Sequence, residues 1–177
     1  MSICLERVIM WLIMAGVSIA AGVGMDIALK TEAFPLFWRV VGAIGILLAH
    51  FPLKRTGRLL RGVGDPKQWG CTNRLVTSDI YQCVRHPHHL GVGVFMTSLG
   101  LVIGHLWSFL FITISQWVWV MAFLFLVEEK ELKEKFGPEY DAYRKKVPML
   151  LPKPACLLKV FVSRRPASSM PDGPDGA

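Results

Sequence analysis

Two short stretches hold the residues best equipped for chemistry. YQCVRHPHHLGVG, residues 81–93, sets Arg85, His86, His88 and His89 within five positions, and no Asp, Glu, Lys or Arg follows until Glu128 and Glu129. Pro87 suits the first position of a helix, where its missing N–H costs no hydrogen bond. His86 then lies near the N-cap, beside backbone N–H groups that have no partner within the helix. Such a helix start favours an anion, a carboxylate or a phosphate, and Arg85 and the histidines add charge or donors at the same point. A metal is a second reading, because Cys83, His86, His88 and His89 offer four possible ligands within seven residues. Zinc sites normally draw on two separated ligand pairs, and a run stiffened by Pro87 does not let four such neighbours converge, so no metal is assigned. A third reading leaves Arg85 and the histidines snorkelling to lipid headgroups.

The elements that must position these groups are apolar. Of the 177 residues, 53% are hydrophobic and only 19% charged, more apolar than a soluble domain needs. Val8–Gly24, Val40–Leu53 and Leu90–Val127 carry no Asp, Glu, Lys or Arg, and the last block is 38 residues long. Crossing about 30 Å of hydrocarbon takes roughly 20 residues, so that block holds two spans, broken near His105-Leu106-Trp107-Ser108. The sequence predicts an all-α membrane protein with about four transmembrane helices, near 8–25, 36–53, 89–104 and 107–127, plus cytoplasmic C-terminal amphipathic helices. A cleaved secretory signal with Ser18-Ile19-Ala20 as its small-residue site is the alternative for the first segment.

Basic residues set the orientation. Seven lie in 54–85 and ten from 128 onward, whereas the first connection offers only Lys30, against Asp26 and Glu32. The positive-inside bias places both rich segments, and so both termini, in the cytoplasm, with Trp38 and Trp107 at the opposite interface. The net charge of +7 suits anionic headgroups, and there is no folded basic domain to present it to nucleic acid. Cys4, Cys71, Cys83 and Cys156 form no CxxC pair and fall on the reducing side, so no disulfide is expected.

On this scaffold the third and fourth helices form a hairpin that returns Glu128 and Glu129 beside Arg85 and His86. An anion site facing a carboxylate pair suits a ligand with both charges: an amino-acid zwitterion, or the methionine end of S-adenosylmethionine. The plainer reading pairs the glutamates with Lys130 or Lys133 at a helix end. Beyond them Leu132, Phe136, Tyr140, Tyr143 and Val147 recur at helical spacing. Gly137-Pro138 breaks this stripe, with Pro138 opening a second interfacial helix.

LVTSDIYQCVRHPHHLG followed by EEKELKEKFGPEYDAYRKKVPMLLP resembles the isoprenylcysteine carboxyl methyltransferase and phospholipid methyltransferase group of integral membrane enzymes. The resemblance covers roughly residues 73–152. It implies a cytoplasm-facing pocket for S-adenosyl-L-methionine, closed by the C-terminal helices, and a hydrophobic methyl acceptor entering from the bilayer. It implies cofactor contacts at Leu75, Val76, Tyr81, His86, Pro87 and Glu128. Arg85 and Glu129 match more broadly, His89 is a further contact position, and Asn73 and Arg74 start the same segment but differ in residue type. RGVG, 61–64, is similar to a Gly-x-Gly element of phospholipid methyltransferases. His89 stands where the prenylcysteine enzymes have a tyrosine, and Leu124 where they have an arginine for the acceptor carboxylate. An apolar residue cannot pair that anion, which points to an amine or thiol acceptor, in a lipid or a small hydrophobic molecule.

The expected organisation is two transmembrane helices over 1–53, a cytoplasmic loop over 54–80, a methyltransferase core over 81–152 and a mostly disordered tail over 153–177. Glu128 and His89 are the candidates to accept a proton, and no catalytic residue is assigned. A non-catalytic scaffold with the same fold is the competing class. The membrane expected is the endoplasmic reticulum for a eukaryotic chain and the inner membrane for a bacterial one.

Overall fold

The computed structural model describes residues 3–63 and 74–161. Asn73, Gly64 of the Gly-x-Gly element, the second half of the 54–73 loop and the tail beyond Phe161 lie outside them. The elements are α1 (Ile3–Leu29), α2 (Leu36–Val63), a 3-10 turn (Asp79–Gln82), α3 (Pro87–Ile103), α4 (Leu106–Phe123), a π turn (Leu124–Glu128), α5 (Glu129–Lys146), a second 3-10 turn (Pro154–Cys156) and α6 (Leu157–Phe161). No strand occurs among the described residues. Three helical stretches, Leu5–Leu29, Leu36–Leu60 and Leu106–Lys146, are long and apolar enough to cross a membrane, and α3 is a shorter apolar helix. The protein is an all-α membrane protein.

Each helix packs chiefly on its neighbour in the order α2, α3, α4, α1. With lipid on one side there is little hydrophobic drive between helices, so close contact depends on small residues. A Cβ on Gly22 would come within 2.6 Å of the Ser108 backbone, and one on Gly42 within 2.7 Å of the Ser98 carbonyl oxygen. These glycines let α1 meet α4 and α2 meet α3. The outward faces stay apolar and exposed, as at Ile13, Val17, Leu47, Ile114 and Val118.

The α3–α4 hairpin turns at Gly104, whose φ of 78° is left-handed. At the same end, Asp26 of α1 is buried and caps α4. Its carboxylate accepts from Trp107 N at 3.0 Å, Ser108 N at 2.8 Å, Ser108 Oγ at 2.6 Å and Thr31 Oγ1 at 2.6 Å. Phe34 N donates to Gly104 O at 2.6 Å.

Three features differ from expectation. Helix α2 continues beyond Leu53 to Val63, because Lys54, Arg55, Thr56 and the residues after them extend the helix past the apolar run. Residues 154–161 are helical rather than structureless, with Val160 buried against Leu124 and Leu150. Cys83 and Cys156 form a disulfide, 73 positions apart with Cα atoms separated by 5.6 Å. Their sequence spacing carries no sign of it, since residues 148–153 fold back along residues 83–86. Arg85 N donates to Pro148 O at 2.9 Å, His86 N to Met149 O at 3.1 Å and Lys153 N to Cys83 O at 3.3 Å.

Candidate functional site

The hairpin brings the two polar stretches together at one end of the bundle. Pro87 is the first residue of α3 and His86 its N-cap. Glu128 and Glu129 close the π turn and open α5, a local widening often found where a helix serves a site. The imidazole of buried His86 bridges the two acids, with Nδ1 3.2 Å from Glu128 Oε1 and Nε2 2.7 Å from Glu129 Oε1. Burial pushes the His86 pKa down, but hydrogen bonds and charge from Glu128 and Glu129 outweigh it and raise it to about 9. His86 is therefore protonated at neutral pH, with both ring nitrogens as donors.

The two glutamates then separate in role. Glu129 is saturated: Arg85 Nη1 donates to both its oxygens at 2.7 Å, and Tyr140 OH donates to Oε1 at 2.6 Å. Glu128 is not. Its Oε2 is buried with no hydrogen-bond partner, and so is His89 Nδ1. These atoms stand 3.4 Å apart, close enough to attract but outside hydrogen-bond geometry. The His89 ring stacks on Phe123 with centroids 5.6 Å apart.

A cleft opens onto this pair. It holds about 180 Å³ of interior and about 760 Å³ of empty space with its mouth included. Leu75, Val76, Tyr81, Arg85, His86, Pro87, His89 and Glu128 all line it. Glu129 does not: its carboxylate is occupied by Arg85, His86 and Tyr140 behind the wall. The sequence reading did not single out Leu60 and His88 as lining residues, yet both face the cleft. His88 is held there by a tertiary contact, Thr56 Oγ1 and His88 Nδ1 meeting 3.3 Å apart across α2 and α3. The periodic stripe on α5 supplies the cover, with Leu132, Phe136, Tyr140 and Tyr143 on the cleft wall.

The segment that enters the site is held from both sides. Arg55 of α2 donates through Nε and Nη2 to the two carboxylate oxygens of Asp79, whose φ of 58° bends the chain toward Tyr81. Tyr143 OH donates to Tyr81 O at 2.6 Å. Burial, and then the Glu128 charge, push the Tyr81 phenol well above its usual pKa, so it remains neutral. Leu124 is fully buried, packs with Cys83, Val84 and Leu150, and is not a cleft residue.

His86, His89 and Glu128 also bring ligand atoms within 4.8 Å of one another, a set able to hold a metal ion. It differs from the set of neighbours weighed on sequence: Cys83 is spent in the disulfide, and Glu128 comes from the other helix of the hairpin.

A protonated histidine, an arginine and a part-free carboxylate thus meet around one cleft at one end of the bundle. Comparison with known proteins gives the class. The phospholipid methyltransferase family matches residues 34–139, and this chain belongs to that family. It is 32% identical over 126 residues to methanethiol S-methyltransferase of Pseudomonas deceptionensis, covering 71% of this chain and 45% of that one. It is 35% identical over 78 residues to protein-S-isoprenylcysteine O-methyltransferase of Schizosaccharomyces pombe, covering 44% of this chain and 33% of that one. The matches span less than half the length of either relative. No solved structure matches.

Proposed function

We propose that this protein is a membrane methyltransferase that uses S-adenosyl-L-methionine and methylates a thiol or amine on a hydrophobic acceptor. The observation that carries the reading is Glu128 Oε2, buried and unpartnered on the cleft wall opposite the N-cap of α3. A donor with an amino-acid end satisfies both features: its ammonium meets Glu128, and its carboxylate meets the N–H groups at the start of α3, with Arg85 adding positive charge. Bound there, S-adenosylmethionine supplies an electrophilic methyl group on a cationic sulfonium. Tyr81, Phe136, Tyr140 and Tyr143 give that end an apolar and aromatic wall that excludes water.

The chain's contribution is alignment and proton handling. His86 and Arg85 fix the α3 mouth against Glu129, and α5 covers the cleft. A thiol or amine must lose a proton around transfer, and with Glu128 Oε2 occupied by the donor, His89 Nδ1 is the unpartnered atom placed to take it. Leu124, at the position matched to the arginine of the prenylcysteine enzymes, is apolar and buried off the cleft, so this position supplies no charge for an acceptor carboxylate. Relatives named for methanethiol and isoprenylcysteine chemistry agree with a sulfur-bearing or lipid-linked acceptor.

Calorimetry on the detergent-purified protein tests the donor. Saturable S-adenosylmethionine binding, weakened by His86→Ala and by Glu128→Ala, is the expected result. Absence of binding by folded wild type sinks the reading. A zinc titration separates the alternative, since a metal site formed by His86, His89 and Glu128 binds zinc in preference to the donor.

A further inference from the structure

We propose that the Cys83–Cys156 bond is a thiol-exchange latch that sets how tightly the cleft holds its ligand. The inference rests on the methyl-donor reading above. Cys83 lies two residues before Arg85, and the backbone of 83–86 is bonded to residues 148–153, the strap that leads on from α5. The disulfide closes the far end of that strap. One covalent link thus ties the wall that carries Arg85 and His86 to the chain that follows the Tyr140 and Tyr143 cover. With the bond broken, three backbone hydrogen bonds and the packing of Leu150 and Val160 hold the strap. The loop spans both polar stretches, so opening it adds freedom to the segments that must converge on the ligand.

The pair is reachable by exchange from one side only. Cys83 is 1% exposed, whereas Cys156 is half-buried. A small-molecule thiolate therefore attacks Cys156 Sγ, forming a mixed disulfide and releasing Cys83 as a thiolate that takes up a proton. A second thiol frees Cys156 and leaves as the small-molecule disulfide. Closure runs the same steps in reverse: two cysteine thiols and one small-molecule disulfide give the protein disulfide and two small thiols. With the mouth on the cytoplasmic side, as the charge distribution proposes, small thiols keep the pair open. Accumulation of their disulfides closes the latch.

The test uses the full-length protein in detergent, oxidised with a small-molecule disulfide or reduced with a phosphine, with the state of the pair read by alkylation and mass. Binding of S-adenosylmethionine is measured by calorimetry, and exchange of the Arg85 and His86 amide protons by mass spectrometry. The expected result is weaker binding in the reduced state, about tenfold, with faster exchange at both amides. Cys156→Ser, milder than a change at buried Cys83, reproduces the reduced state and no longer responds to phosphine. Equal affinity and equal exchange in the two states overturn the latch, as does full alkylation of both cysteines after oxidation. If neither state binds the donor, the donor reading fails, while amide exchange still decides the latch.

Discussion

At the residue scale, adjacent glutamates have different tasks, and that difference is measurable. Glu129→Gln leaves the buried Arg85 and His86 cations short of a counter-charge, so it costs about 3 kcal/mol of stability. Glu128→Gln removes an acid whose Oε2 has no protein partner. It is expected to lower stability less and donor affinity by tenfold or more, about 1.4 kcal/mol. Thermal unfolding and calorimetry in one detergent check both; equal losses in both assays for the two variants contradict the split. The sequence set Glu128 among the contacts and Glu129 only as a broader match, but nothing in a Glu-Glu pair shows which member three donors will occupy. His86 makes a second prediction. Its folded pKa of about 9 lies above the ordinary 6.5, so its stabilisation is full below about 6.5 and fades as pH rises through about 9. Glu128 and Glu129 face it directly, with Arg85 on Glu129 and His89 6.1 Å away, ring to ring. The stability difference between wild type and His86→Gln is expected to be on the order of 3 kcal/mol at pH 6, to shrink as pH rises from about 6.5 to about 9, and to be nearly gone above that. A difference that does not change with pH removes the protonated bridge.

At the element scale, local chemistry was legible and distant pairing was not. Pro87 at the start of α3 and the break at Gly137-Pro138 follow from what proline and glycine permit. Gly137 adopts φ 51° and ψ −128° between the two parts of α5, a conformation that side-chain-bearing residues avoid. A Cβ there meets nothing within 4 Å, so Gly137→Ala is a test of backbone strain alone. It is expected to cost about 1–3 kcal/mol and to weaken donor binding, because Tyr140 and Tyr143 ride on the redirected second part of α5. Unfolding and calorimetry again read it, and unchanged affinity would mean that the cleft does not depend on that redirection. By contrast, Asp26 read as a loop charge balancing Lys30, yet it is inside α1 and caps α4 some 80 positions later. The Cys83–Cys156 pairing escaped for the same reason. Both depend on which chain ends meet in space, and neither residue has a local pattern that says so.

At the scale of the whole molecule, apolar blocks and charge made the architecture legible, because lipid forces backbone bonding inside each span. The lengths of α2 and of the C-terminal helices were not, since past the hydrocarbon nothing in hydropathy marks a helix end. The structure adds an independent argument on orientation. Arg7, near the start of α1, pairs with Glu131 of α5 and lies 5.5 Å over the Phe123 ring, so the two ends of the described chain share one end of the bundle with the cleft. The Phe34–Gly104 and Asp26–Ser108 contacts gather the two other turns at the opposite end. This supports an even number of crossings, in which α3 would be the shortest at 17 residues, about 25 Å at 1.5 Å per residue. Slight mismatch of that size is absorbed by local thinning of the bilayer or by flanking residues. With 17 of the 20 Lys and Arg residues in 54–85 and beyond 128, the cleft end is expected to face the cytoplasm. Reporter domains that are active only on one side of the membrane, fused in turn to each terminus and inserted at Glu32, check this. Cytoplasmic signals at both termini and an outside signal at Glu32 are the expected set. Termini on opposite sides would mean that α3 does not cross, and the hairpin that joins His86 to Glu128 would then have to lie within one leaflet.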